Sequence, residues 1–159
     1  MEEQAHDIRK IVPGLVNACT PLERVLTAGQ PDPRHLEALA KAGYRTVLDL
    51  RAPDEPRPFD EAAAVRRLGM EYINLPVTAD TLGDETFDRF RALMRDPDRR
   101  PLLLHCASAN RVGALLIPYL VLDEGKSPDE AVELAVQVGL RSEELRDAAL
   151  DYVRRARGS

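Results

Sequence analysis

Short apolar runs alternate with helical patterns along this chain of 159 residues, and that alternation constrains the fold more than any other feature. Residues 24–28, 44–50, 71–75 and 101–104 are rich in Leu, Val, Ile and Tyr, are too short for helices, and are bounded by Gly or Pro or run straight into small polar residues. The segments between them have helical spacing. Asp32 stands as an N-cap before Pro33, a proline suited to a first turn, and Leu36, Leu39 and Ala40 share one face before Gly43 stops the helix. Residues 60–68 form an Ala-rich helix closed by Gly69, and residues 85–95 turn Phe87, Phe90, Leu93 and Met94 inward. Beyond the last apolar run, residues 111–124 read as a helix. Ser127, Pro128 and Glu130 make a capping box for another, and Ser142 opens a last helix to residue 156. The pattern predicts an α/β fold: a central, mainly parallel sheet of four to five strands flanked by helices, with a helical C-terminal part. In such sheets ligands bind beyond the carboxyl ends of the strands.

Composition narrows the class. Domains cluster at about 100–150 residues, so a single domain over residues 1–159 is expected, with 1–20 as an N-terminal extension and 21–156 as the core. The two cysteines, Cys19 and Cys106, are too few for a disulfide scaffold and form no CxxC pair, so neither a disulfide framework nor a structural metal is expected. A net charge of -5 excludes a broad electrostatic footprint for nucleic acid or an anionic membrane, while leaving room for one local basic pocket. The charged N-terminus has no apolar leader pattern. The longest apolar run, residues 112–122, is interrupted by Gly113 and Pro118 and is shorter than the ~20 residues a membrane span needs. A soluble, cytoplasmic protein is expected; nothing in the sequence sets its oligomeric state.

The rule for ligand placement points to one segment. The run Leu102, Leu103, Leu104 leads into His105, Cys106, Ala107, Ser108, Ala109, Asn110 and Arg111, and then directly into a helix. A tight loop of small residues at a helix N-terminus converges its backbone N–H groups on negative charge. The same field favours the thiolate of Cys106, the form that attacks. Arg111 carries a planar fork that can grip two oxygens of a phosphate-like group at once.

At these residues the chain resembles the Cys-dependent protein tyrosine phosphatase superfamily, whose signature is His-Cys, a phosphate-binding loop and Arg. It is most similar to a bacterial dual-specificity-like branch of the beta-lactamase-hydrolase-like type. The resemblance extends to TAGQPDP, AGYRTVLDLRAPDE and EYINLPV and covers roughly residues 24–141. Three departures stand out. Four residues separate Cys106 from Arg111, fewer than in the common signature; Ala109 stands where Gly is common; and Val112 replaces the usual hydroxyl residue after the Arg.

The resemblance implies two-step hydrolysis of a phosphorylated protein or a small phosphomonoester, with no cofactor and no metal. Cys106 would be the nucleophile, and Arg111 would bind phosphate with the loop of Ala107, Ser108, Ala109 and Asn110. A general acid would come from the loop after residues 71–75. Asp80 is preferred there, with Asp84 assigned to capping the next helix. His105 is expected as a buried residue that orients the loop and tunes the thiolate, and Asn110 as a stabiliser of a left-handed turn. Arg51 has two readings, an approach to the anion site or a pair with Asp54 or Glu55. Arg141 also has two, contact with a second anionic group or a complement to a helix C-terminus. Two other functions remain open on the residues alone. One is a rhodanese-like sulfurtransferase carrying persulfide on Cys106, which the short loop favours. The other is a weakly active phosphate-binding module, suggested by Ala109 and Val112.

Overall fold

The computed structural model describes residues 8, 10–78 and 80–158. Five strands make the sheet: β1 (Cys19–Leu22), β2 (Val25–Ala28), β3 (Thr46–Asp49), β4 (Glu71–Asn74) and β5 (Leu102–His105). Their spatial order is β1-β2-β5-β3-β4. β1 runs antiparallel to β2, and β2, β5, β3 and β4 are mutually parallel. The last apolar run in sequence is therefore the central strand, and all four residues of β5 are buried. The expected α/β architecture is present.

The helices are α1 (Pro33–Lys41), α2 (Glu61–Arg67), α3 (Asp84–Arg95), α4 (Asn110–Leu122), α5 (Pro128–Val138) and α6 (Glu143–Ala156). Local chemistry fixes their starts. The Asp32 carboxylate accepts from the backbone of Arg34 and His35 at 2.8 and 3.1 Å, and the His35 ring accepts from the Asp32 backbone. Ser127 and Glu130 close the same reciprocal box on α5. Strand pleat sends alternate residues to opposite faces. Leu102 and Leu104 join Val25, Leu48 and the inward faces of α3 to α6 in one apolar core. Leu103 joins Leu26, Val47 and the residues under α1 and α2 in the other.

Two expectations need correction. Described residues of the segment assigned to an N-terminal extension are built into the fold. Cys19 and Thr20 belong to β1, Cys19 pairs in register with Thr27, and Ile8, Val12 and Leu15 are buried in the second core. Asp84 does not cap α3. Gly83 is the N-cap and makes no side-chain bond, while Asp84 is the first helical residue. No helix among the described residues is long and apolar enough to cross a membrane.

Candidate active site

Strand order brings the carboxyl ends of β2, β5 and β3 together, and the loop 106–109 leaves β5 between its two neighbours. Both hold it. Ala28 accepts from the Cys106 backbone, and the Gln30 N–H donates to the Ala107 carbonyl at 3.1 Å. On the other side the Leu50 N–H donates to the His105 carbonyl at 2.9 Å. Gly29 is required here, because a Cβ at that position would lie 2.6 Å from the Ala107 oxygen. The Asn17 side chain donates to the Ser108 carbonyl at 2.9 Å, a contact from the N-terminal segment that the sequence does not advertise.

Cys106 is 1% exposed and lies at the base of this loop. The Ala109 N–H donates to its Sγ at 3.1 Å. That contact depends on Ala109 adopting φ +73°, the left-handed region that L-residues enter at a cost of roughly 1 kcal/mol. The left-handed residue is therefore Ala109, not Asn110. Asn110 opens α4, and its carboxamide oxygen accepts from the backbone of Arg141 and Ser142 at 2.8 and 3.3 Å. The turn between α5 and α6 is thus tied to the loop, with exposed Arg141 beside its end.

Arg111, one residue further into α4, draws two other loops over the thiol. Its Nη1 and Nη2 donate to the two carboxylate oxygens of Glu55 at 2.7 and 2.8 Å, and Nη1 also donates to the Val77 carbonyl at 3.2 Å. The Arg111 hydrogen bonds hold the Glu55 carboxyl below its ordinary value, helped by the Ala52 N–H. Reciprocally, Glu55 raises Arg111, and the nearby Cys106 adds to that effect. A cavity of about 440 Å³ opens here, lined by Ala52, Asp54, Glu55, Val77, Arg111 and Leu145 among others. The Val77 contact brings the loop that carries Asp80 to the rim. Reciprocal bonds between Thr78 and Thr81 fold that loop into a compact turn, in which Asp80 is exposed. Asp84 faces elsewhere, with both carboxylate oxygens 2.7 Å from Nη1 of Arg155 on α6.

His105 is fully buried, as expected. Its Nδ1 lies 3.2 Å from the Cys106 carbonyl and its Nε2 2.6 Å from Glu61 Oε2. Neither reading of Arg51 holds. Its guanidinium is 2% exposed and donates to Asp49 at 2.8 and 3.0 Å and to Glu61 at 3.2 Å, behind the Cys loop and outside the cavity lining. Asp49, Glu61 and His105 offer three ligand atoms within 4.8 Å of one another. With Arg51 donating to both carboxylates, the set is an ion-pair network rather than a metal cage. Val112 is buried in the core and offers no hydroxyl.

A family model described as "DSP-PTPase phosphatase fused to NAD+ Kinase" matches residues 19–152. The chain belongs to this family. That family is described as a phosphatase family. A beta-lactamase hydrolase-like protein of Xylella fastidiosa is 29% identical over 116 residues, a stretch that covers 70% of this chain and 27% of the relative. The chain thus spans about a quarter of the length of that curated relative. Among solved structures, the DUF442 phosphatase of Shewanella putrefaciens superposes with a TM-score of 0.77 at 19% identity, covering 92% of this chain and 97% of that one. A Cys-to-Ser variant of P. aeruginosa TpbA, solved in complex with pTyr, superposes with a TM-score of 0.64 at 22% identity, covering 89% and 90%. Both solved structures share the fold. The DSP-PTPase match takes in every part of the site described above except Asn17.

Proposed function

We propose that this phosphatase hydrolyses phosphomonoesters, phosphotyrosine among them, through a phosphocysteine on Cys106. The observation that carries the reading is the Ala109 N–H aimed at the Cys106 Sγ beneath Arg111. In the first step the thiolate attacks phosphorus, the P–O bond to the alcohol breaks, and Asp80 gives its proton to the departing oxygen. In the second, Asp80 takes a proton from water, the hydroxide attacks phosphorus, and the S–P bond breaks to return the thiolate and release phosphate. Arg111 and the loop N–H groups stabilise charge on the equatorial oxygens throughout. A reducing cytoplasm suits this chemistry because Cys106 must stay a free thiol. The pTyr bound to TpbA supports an aryl phosphate as substrate.

The test is release of phosphate from an aryl phosphate by the purified chain. Turnover sensitive to vanadate and abolished in Cys106→Ser supports the reading. Formation of thiocyanate from thiosulfate and cyanide, with no phosphate released, would replace it with sulfur transfer. Binding of phosphate without turnover of any ester would reduce the site to a recognition module.

A further inference from the structure

The cavity over the Cys loop carries more negative charge than an anion site needs. Among the described residues, the charged side chains lining it are Asp54, Glu55 and Arg111. Glu55 and Arg111 offset each other through bonds of 2.7 and 2.8 Å. That leaves Asp54, whose carboxylate makes no ion pair and accepts no hydrogen bond among the described residues. Phosphate gains nothing from it. A dianion is drawn to the base of the cavity by the loop N–H groups, the start of α4 and Arg111, and a carboxylate at the same cavity opposes it.

The turn that carries Asp54 is fixed at both ends. The Glu55 N–H donates to the Ala52 carbonyl at 3.1 Å, the Ala52 N–H donates back to the Glu55 carboxylate, and Arg57 donates to the Ala52 carbonyl at 3.3 Å. Ala52 is buried and Glu55 is held on Arg111, so Asp54, exposed between them, has little freedom to leave the rim. Its place in the turn, after Pro53, is one that Asn or Gly would fill equally well, so the backbone makes no use of the charge. The neighbouring cation Arg57 is engaged by Asp49 and the Tyr72 hydroxyl. Ala52, Val77 and Leu145 give the cavity an apolar wall. Exposed Arg141, beside the end of the Cys loop, is outnumbered by Glu143 and Glu144, exposed in the first turn of α6 that brings Leu145 to the cavity. The cavity therefore offers a guanidinium, an apolar wall that suits an aryl ring, and an unpaired carboxylate. Their complement is an aryl phosphate with a cation close to its ring.

We propose that Asp54 is a specificity-determining residue that selects phosphotyrosyl segments with Lys or Arg beside the phosphotyrosine and disfavours those with acidic neighbours. The inference rests on the phosphatase reading of the site and deepens it by naming the substrate class. Asp54 acts on a part of the substrate where no bond changes, so its contribution is the same before and during the reaction and is read in KM rather than kcat.

The experiment measures phosphate release at low ionic strength from three phosphotyrosine pentapeptides, alike except that the residues flanking phosphotyrosine are Lys, Ala or Glu. An attractive and a repulsive contact at a solvated rim each shift binding by a few-fold, so the Lys peptide should exceed the Glu peptide about tenfold in kcat/KM. Salt at about 0.5 M should shrink that ratio. Asp54→Asn should reduce it to about twofold, and Asp54→Lys should invert the order. Asp129→Asn removes the same charge from an exposed position at the far end of α5 from the Cys loop, and should leave the ratio unchanged. Urea midpoints of the Asn variants should match the parent, since both positions are exposed. An equal ratio in Asp54→Asn and the parent, or a parent that favours the Glu peptide, overturns the proposal. A fall as large in Asp129→Asn also overturns it, because the preference would then belong to net charge. Equal turnover of all three peptides by the parent defeats this inference alone, whereas no release from any peptide or from p-nitrophenyl phosphate defeats the phosphatase reading and the inference with it.

Discussion

Glu55 grips Arg111 end-on, its two oxygens 2.7 and 2.8 Å from Nη1 and Nη2, while the second hydrogen of Nη1 goes to the Val77 carbonyl. A guanidinium has five N–H bonds. These contacts use three, and the two left over, on Nε and Nη2, lie along one edge. That edge is the fork an oxyanion can take bidentately. The carboxylate therefore fixes Arg111 without occupying its anion-binding side, and it links the loop after β3 to the helix after the Cys loop.

Replacing Glu55 with Gln should separate binding from turnover. Its negative charge opposes an incoming phosphate, so its loss offsets the cost of a less fixed Arg111 in the ground state. In the transition state the oxygens need the fork held in place, and that loss is uncompensated. A fall in kcat of about tenfold, about 1.4 kcal/mol of barrier, is expected with no rise in KM for an aryl phosphate. A raised KM at unchanged kcat would show that Glu55 serves binding instead.

Gly139, after α5, has φ +144° and lies against the Cys loop; a Cβ there would stand 3.0 Å from the Ala109 Cβ and 3.2 Å from its backbone. Gly139→Ala should destabilise the protein by about 2 kcal/mol through overpacking and backbone strain. It should also slow Cys106 alkylation, because the residue it displaces carries the N–H aimed at the thiol. Adding Ala109→Gly removes the tightest of these contacts and should recover part of both losses. Urea unfolding of the four proteins in this cycle gives the coupling; strict additivity would mean the two positions do not press on each other.

Asp49 gives stability a defined pH dependence. Its folded carboxyl titrates below its unfolded value of about 3.9. The stabilisation is thus fully present above that unfolded value and is lost as pH falls through the lower folded one. Asp49→Asn leaves Arg51 with one fewer buried partner and should cost about 3–5 kcal/mol near neutrality. Urea midpoints measured from pH 7 downward should show the gap between variant and parent constant to about pH 4 and closing below it. A gap that widens on acidification contradicts the assignment.

What was legible in the sequence was local. Asp32, Ser127 and Ser142 mark helix starts because a cap lies within three residues of its partner. β5 is legible because three leucines in a row, between a proline and the His-Cys pair, suit only a strand buried on both faces. β1 is not legible, since Cys19, Thr20, Pro21 and Leu22 are all half-buried and leave no alternation to read. The unforeseen parts of the site are long-range pairs. Glu55 lies 56 residues from Arg111 and Glu61 lies 44 from His105, and a glutamate in the first turn of α2 reads locally as a complement to the helix dipole. The partners of Arg51 are hidden for the same reason. Its near acidic neighbours in sequence are Asp54 and Glu55, but the pleat of β3 and the placement of α2 give it Asp49 and Glu61.

The two acidic candidates that follow β4 can be separated by leaving group. A general acid matters when the departing alkoxide is a poor leaving group, and much less when it departs readily. Asp80→Asn should therefore lower kcat by about a hundredfold or more on an alkyl or phenyl phosphate, and far less on p-nitrophenyl phosphate. Asp84 is paired with Arg155 across the ends of α3 and α6, at the surface, where such pairs contribute little. Asp84→Asn should leave the rate on both esters unchanged and lower the urea midpoint slightly. Loss of leaving-group dependence in Asp84→Asn, with Asp80→Asn unaffected, would transfer the proton-donor role to Asp84 and require the Asp84–Arg155 pair to open during turnover.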